Sequence, residues 1–85
     1  MRYTIIIKKT AQKQIQKLPK IYFDKVRKTI LSLENVPRPH GCLKLTGSEN
    51  VYRVKVGPYR IVYSIEDKML TIFIFDVDDR KDVYR

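Results

Sequence analysis

Apolar and polar residues alternate along Tyr52-Arg53-Val54-Lys55-Val56 and again along Tyr59-Arg60-Ile61-Val62-Tyr63, with Gly57-Pro58 between the two runs. Period-two alternation predicts a pair of strands, and Gly followed by Pro suits a two-residue type II′ turn. That turn pairs Val56 with Tyr59 and sets Lys55 directly opposite Arg60. It puts Arg53, Lys55 and Arg60 on one face, while Tyr52, Val54, Ile61 and Tyr63 point to the other. Like charges placed opposite each other destabilise a sheet. A cluster of this kind points to an anionic ligand.

The same patterning organises the rest of the chain. Residues 2–8 predict a strand with Tyr3, Ile5 and Ile7 on one face. Thr10 is a candidate N-cap for a short helix over residues 11–18, with Ala11, Ile15 and Leu18 as its apolar positions. Pro19 ends that helix and suits the first turn of the next. The second helix, residues 20–35, aligns Tyr22, Val26, Ile30 and Leu33 at helical spacing, with Lys20, Asp24, Lys25, Arg27 and Lys28 on its other face. Residues 35–50, with two prolines and two glycines, predict an irregular segment. Three strands follow at 51–56, 59–66 and 69–77, the last two turning at Glu66-Asp67-Lys68. The order β-α-α-β-β-β, with short links between the last strands, predicts an α+β fold: an antiparallel meander with two helices packed on its apolar face.

A chain of 85 residues accommodates one domain, residues 1–85. No apolar run approaches the roughly 20 residues that span a membrane. The start Met1-Arg2-Tyr3 leads straight into a strand, so neither a signal peptide nor a membrane association is expected, and a cytoplasmic location is. Cys42 is the single cysteine, which excludes an internal disulfide and a cysteine-based metal site. The net charge of +9 is unevenly distributed: nine Lys/Arg against two acids in residues 1–35, five against one in 36–60, and four against six in 61–85. Such a basic body favours nucleic acid, an anionic surface or an acidic protein partner.

The candidates for chemistry are Arg53, Lys55, Arg60, Arg80 and Tyr84. RNA is cleaved without metal when its own 2′-OH attacks the adjacent phosphate. The transition state then gathers negative charge on the phosphoryl oxygens, which guanidinium and ammonium groups stabilise. The reaction also needs a base for the 2′-OH and an acid for the departing oxygen. Lys55, crowded by arginines, is a candidate base, because neighbouring positive charge disfavours the protonated amine. Tyr84 suits orienting the attacking group or stacking on a base. The same residues would equally serve only to grip phosphates or acidic side chains of a partner. His40 stands alone in a loop, where a histidine is ordinarily solvent-exposed. Asp76, Asp78, Asp79 and Asp82 suggest a magnesium site, but Arg80 and Lys81 beside them favour salt bridges over a metal. No nucleophilic triad and no Gly-rich phosphate loop is present.

The ordered set Lys44-Leu45-Thr46-Gly47, Tyr52-Arg53-Val54-Lys55-Val56, Gly57-Pro58-Tyr59-Arg60-Ile61-Val62-Tyr63 and Asp79-Arg80-Lys81-Asp82-Val83-Tyr84 strongly resembles the RelE branch of the RelE/ParE toxin superfamily. Leu18-Pro19 and Asn35-Val36-Pro37-Arg38-Pro39 are similar as well, so the likeness covers nearly the whole chain. The resemblance implies a two-layer RelE-like fold and a toxin of a type II toxin–antitoxin pair. It implies a ribosome-dependent mRNA endonuclease that acts in the A site without metal or cofactor. The partners implied are a cognate antitoxin in a hetero-oligomer, the ribosome and mRNA. The implied roles are Lys55 as general base, Arg60 stabilising the phosphoryl charge, and Arg80 acting on the leaving oxygen. Arg53 would grip the backbone and Tyr84 would stack or orient. Lys44, Lys81 and the basic helix faces would contact RNA.

Two features depart from the family pattern. Many relatives carry a histidine immediately before the tail arginine, where this chain has Asp79; a carboxylate there would either pair with Arg80 or take over proton transfer. The chain also ends at Arg85 without the C-terminal helix of some relatives. Two other classes of function remain open on the sequence: a ParE-like inhibitor of DNA gyrase without nuclease activity, and an inactive relative that binds only RNA or its antitoxin.

Overall fold

The computed structural model describes residues 2–79; Arg80, Lys81 and Tyr84 lie outside them. The elements run β1 (Thr4–Ile7), α1 (Lys9–Gln16), α2 (Lys20–Ser32), β2 (Leu43–Lys44), β3 (Val51–Val56), β4 (Tyr59–Glu66), a 3-10 turn (Asp67–Met69) and β5 (Thr71–Asp79). The strands form a five-stranded sheet in the order β1-β5-β4-β3-β2. The expected α+β layering and the antiparallel meander β3-β4-β5 are present. The sheet as a whole is mixed, because β1 pairs parallel with β5, Thr4 opposite Thr71 through Ile7 opposite Ile74. The helical crossover that follows β1 allows this parallel return. The two-residue β2 is an addition: it arises inside the segment expected to be irregular, where Leu43 pairs with Arg53 and Lys44 with Tyr52.

The helices lie on one face of the sheet and close the core. Ala11 and Ile15 of α1, with Val26, Ile30 and the adjoining Leu33, pack against Val54, Val56, Ile61, Tyr63, Ile65, Ile72, Ile74 and Val77. All are buried. Burying these side chains supplies the main favourable term in folding, at about 25 cal/mol per Å² of apolar area.

Several boundaries differ from the periodicity for local reasons. Helix α1 starts at Lys9, so Thr10 sits inside it and Lys8 is the N-cap, without a side-chain cap. The Lys8 amide donates to the Ile74 carbonyl, the last bond of the β1–β5 ladder, and the chain turns directly into the helix. Helix α1 ends at Gln16, where the Lys17 and Leu18 amides make tight i→i−3 bonds ahead of Pro19. The Pro19 carbonyl then accepts from Tyr22 and Phe23 and starts α2. Helix α2 likewise stops at Ser32, and Leu33, Glu34 and Asn35 continue as tight turns. Strand β5 starts two residues later than expected, because Leu70 adopts a left-handed conformation (φ 49°) that ends the 3-10 turn. Asp78 and Asp79, expected beyond the last strand, therefore belong to it.

Candidate functional site

The β3–β4 hairpin carries the site. Gly57 has φ 60°, as the first central position of a type II′ turn requires. A Cβ at Gly57 would stand 2.6 Å from Tyr22 Cε1, so glycine also admits the start of α2 against the turn. Tyr22 in turn meets Tyr59 edge to face, with ring centroids 5.2 Å apart. The register is the one the turn predicts: Val56 with Tyr59, Lys55 with Arg60, Val54 with Ile61, Arg53 with Val62.

Arg53, Lys55 and Arg60 thus share the sheet face opposite the helices. Lys55 is exposed, Arg53 half-buried, and Arg60 only 5% exposed. Both arginines have interaction partners. A buried guanidinium keeps its charge and its orientation, so Arg60 is the fixed member of the cluster and Lys55 the accessible one. Lys44 does not join them. Its pairing with Tyr52 puts it on the other face, exposed on the edge strand. Arg80, Lys81 and Tyr84 fall outside the described residues.

On the other flank of β4, the register places Asp78 opposite Arg60, Asp76 opposite Val62 and Asp79 opposite Tyr59. Asp76 and Asp78 share a face, and it is the face of the cationic cluster. Asp79 belongs to the Tyr59 side, so Asp78 is the acid beside Arg60. The Asp79 amide donates to Asp78 Oδ1 at 2.8 Å, and Asp79 has further partners. Among the described residues, no three His, Cys, Asp or Glu side chains are grouped to hold a metal ion. His40 is exposed.

A second polar cluster has no counterpart in the sequence pattern. Arg38, in the loop before β2, donates to Asp67 Oδ2 (2.9 Å) and to the Tyr52 hydroxyl (3.1 Å). The Tyr3 hydroxyl donates to Asp67 Oδ1 at 2.6 Å. Arg38 and then Tyr3 hold the Asp67 carboxyl below the ordinary carboxylate range, and the bond to Asp67 raises the Tyr3 phenol. Tyr52 stacks on Tyr63, whose hydroxyl donates to the Pro37 carbonyl at 2.9 Å. Burial, with a smaller contribution from Cys42, raises the Tyr63 phenol strongly. This cluster ties a loop, β1 and the β4–β5 connection together. Nothing but the tertiary fold brings Tyr3, Arg38 and Asp67 within reach, so spacing offered no signal.

A groove of about 690 Å³ lies between β1, α1 and α2, lined by Ile5, Ile7, Ile15, Phe23 and Ile30 among others. It is on the helical side, away from the cationic face. No helix among the described residues is long and apolar enough to cross a membrane.

Known proteins share this fold. Toxin RelG of Mycobacterium tuberculosis is 31% identical over 86 aligned residues, spanning 100% of this chain and 99% of that protein. The archaeal RelE in the RelE–RelB complex of Pyrococcus horikoshii OT3 superposes with a TM-score of 0.84 at 32% identity, over 94% of this chain and 97% of that one. A mutant of E. coli toxin RelE in the free state superposes with a TM-score of 0.83 at 25% identity, over 98% and 88% of the two chains. Residues 5–84 match the family described as ParE toxin of type II toxin-antitoxin system, parDE. With the hairpin, the mixed sheet and the helical layer all in common, the chain belongs to the RelE/ParE superfamily of type II toxins, in its RelE-like branch.

Proposed function

We propose that this chain is a ribosome-dependent mRNA endonuclease that cleaves in the A site and is held inactive by a cognate antitoxin. One observation carries the proposal: Lys55 and Arg60 stand opposite each other on the sheet face away from the helices, with Arg53 beside them. Repulsion across that pair costs stability in the free protein, and a bound phosphodiester relieves it.

In the proposed step the 2′-oxygen attacks the adjacent phosphorus, and its proton passes to the neutral Lys55 amine. The P–O5′ bond breaks, leaving a 2′,3′-cyclic phosphate, and the 5′-oxygen takes up a proton. Arg60 stabilises the phosphoryl charge, a type of contribution worth about 10²–10³ in rate. Arg53 grips the backbone. On the family pattern Arg80 acts on the leaving oxygen and Tyr84 orients the substrate, while Lys44 and Lys81 contact RNA. The step calls on no metal or cofactor. The P. horikoshii relative was solved in complex with RelB. By the same relation an antitoxin partners this chain in a hetero-oligomer, and the net charge of +9 favours an acidic one.

Primer extension on a reporter mRNA in a translating extract tests this. New 5′ ends inside codons, present only while the message is translated, are expected. Intact message would overturn the reading. The family description names ParE, which favours gyrase inhibition as the second reading. Loss of gyrase supercoiling alongside intact message would establish that alternative.

A further inference from the structure

Strand β5 is supported unevenly along its length. Its first half is sandwiched between β1 and β4, but the β1 pairing ends with Ile7 opposite Ile74 and the Lys8 amide on the Ile74 carbonyl. Its second half, Asp76–Asp79, is paired with Tyr59–Val62, and a register shift between Val62 and Tyr63 separates that stretch from the rest of the β4–β5 ladder. Among the described residues, Asp76 and Val77 therefore have no strand on their outer side. An edge without a partner leaves backbone groups unmet and frays readily.

Gln14 of α1 fills that position. Its Oε1 accepts the Val77 amide at 2.8 Å, and its Nε2 donates to Asp76 Oδ1 at 2.8 Å. Both bonds are partly buried. A primary carboxamide presents one donor and one acceptor in a plane, as a peptide group does, so the side chain stands in for the strand that β1 does not supply. The same contact anchors the Asp76 carboxylate to α1. That acid shares the face of Lys55 and Arg60, and a loose carboxylate there would compete with a phosphodiester for the cations.

We infer that Gln14 is a positioning residue for the cationic site: it clamps β5 at Asp76 and Val77, so that Asp78 stays in register with Arg60 and the Asp76 charge is held off the substrate path. This inference rests on the endonuclease reading above for its kinetic consequence. Glutamate is nearly isosteric with Gln14 and keeps the acceptor for Val77, but it sets a carboxylate against Asp76. Combining Gln14→Glu with Asp76→Asn restores the pairing with the donor and acceptor exchanged.

The test uses the whole protein on programmed ribosomes, with Gln14→Glu and with the combined Gln14→Glu and Asp76→Asn variant. Hydrogen exchange at the Val77 amide and the NMR signal of Arg60 Nε–H are followed in parallel. The expected result is a kcat lowered roughly 10- to 100-fold in Gln14→Glu, recovered in the double variant, as for a misplaced catalytic group. Wild-type cleavage with an equally active Gln14→Glu would overturn the inference. So would a double variant as slow as the single one. If wild type itself leaves the message intact, the endonuclease reading fails and the NMR measurements decide alone. Faster Val77 exchange with a displaced Arg60 signal in Gln14→Glu, both reversed in the double variant, would keep the clamp; unchanged signals would remove it.

Discussion

Around Arg38 opposite charges face each other, whereas at the β3–β4 hairpin like charges do: Lys55 is set opposite Arg60, with Arg53 two pairs along. Both regions belong to the same sheet. In the first, Asp67 takes bonds from Arg38 and Tyr3, and the Tyr52 ring lies between Arg38 and Tyr63. Such an arrangement holds pieces of chain together and needs nothing from outside. In the second, on the proposed function, the cations gain further when the substrate phosphate arrives. The difference separates residues that maintain the fold from residues the fold is built to present.

Exchanging the two sets of residues is the strongest way to break that contrast. Lys55→Gln should lower cleavage on translating ribosomes by about 10²-fold or more, with thermal stability unchanged or raised once the repulsion with Arg60 is gone. Arg38→Ala should do the reverse, lowering Tm while cleavage stays near wild type. Growth inhibition on induction and a thermal melt of each purified variant check both. If Arg38→Ala alone abolished cleavage, the separation of the two regions would be wrong.

The hairpin turn is where fold and site meet. Gly57→Ala places a Cβ against the Tyr22 ring at a backbone angle that disfavours side chains. The variant should lose about 2 kcal/mol, combining backbone strain with overpacking. Urea denaturation measures this, and Gly57→Ala with Tyr22→Leu should recover the packing part of the loss. The strain at φ 60° should persist in that double variant.

The hairpin was legible because its determinants are local. Two residues set the turn, the turn sets the register, and the register assigns every side chain to a face. For the same reason Val26, Ile30 and Leu33 were recognisable as one buried stripe. What stayed hidden depends on residues far apart in the chain. Parallel pairing of β1 with β5 joins positions 67 apart, as in Thr4 and Thr71. The Gln14 clamp and the Arg38–Asp67–Tyr3 cluster exist only after the layers close. The left-handed Leu70 hid the true start of β5, since leucine carries none of glycine's tolerance for that conformation. Asp79 drew attention through the family pattern alone, whereas the register sets Asp78 beside Arg60.

Tyr63 sharpens the comparison from the structural side. Its hydroxyl reaches the Pro37 carbonyl from beneath the Tyr52 ring, and Tyr63→Phe should cost about 1 kcal/mol for the lost bond. Burial raises its phenol, so the sign for pH follows directly. The stabilisation is complete below the ordinary tyrosine value of about 10 and is lost as pH rises through the raised folded value. An alkaline unfolding midpoint that moves upward in Tyr63→Phe would show that this phenol sets the limit.

The smallest effect is expected at the acid end. Asp67 is exposed, yet Arg38 and Tyr3 keep its carboxyl below the ordinary range. A depressed folded value means that the ion pair contributes above the unfolded carboxylate value of about 3.9. That contribution falls away as pH drops through the lower folded value. Wild type should therefore lose stability on acidification more steeply than Asp67→Asn, and the two curves should converge once the carboxyl is protonated. Salt should narrow the gap at neutral pH, because an exposed pair is screened. At the hairpin the facing charges are alike, so salt should act there in the opposite sense, relieving repulsion between Lys55 and Arg60. Thermal melts in low and high salt, with Asp67→Asn and Lys55→Gln as the two probes, would reveal that opposition as Tm shifts of opposite sign in the two variants, each shrinking as salt rises.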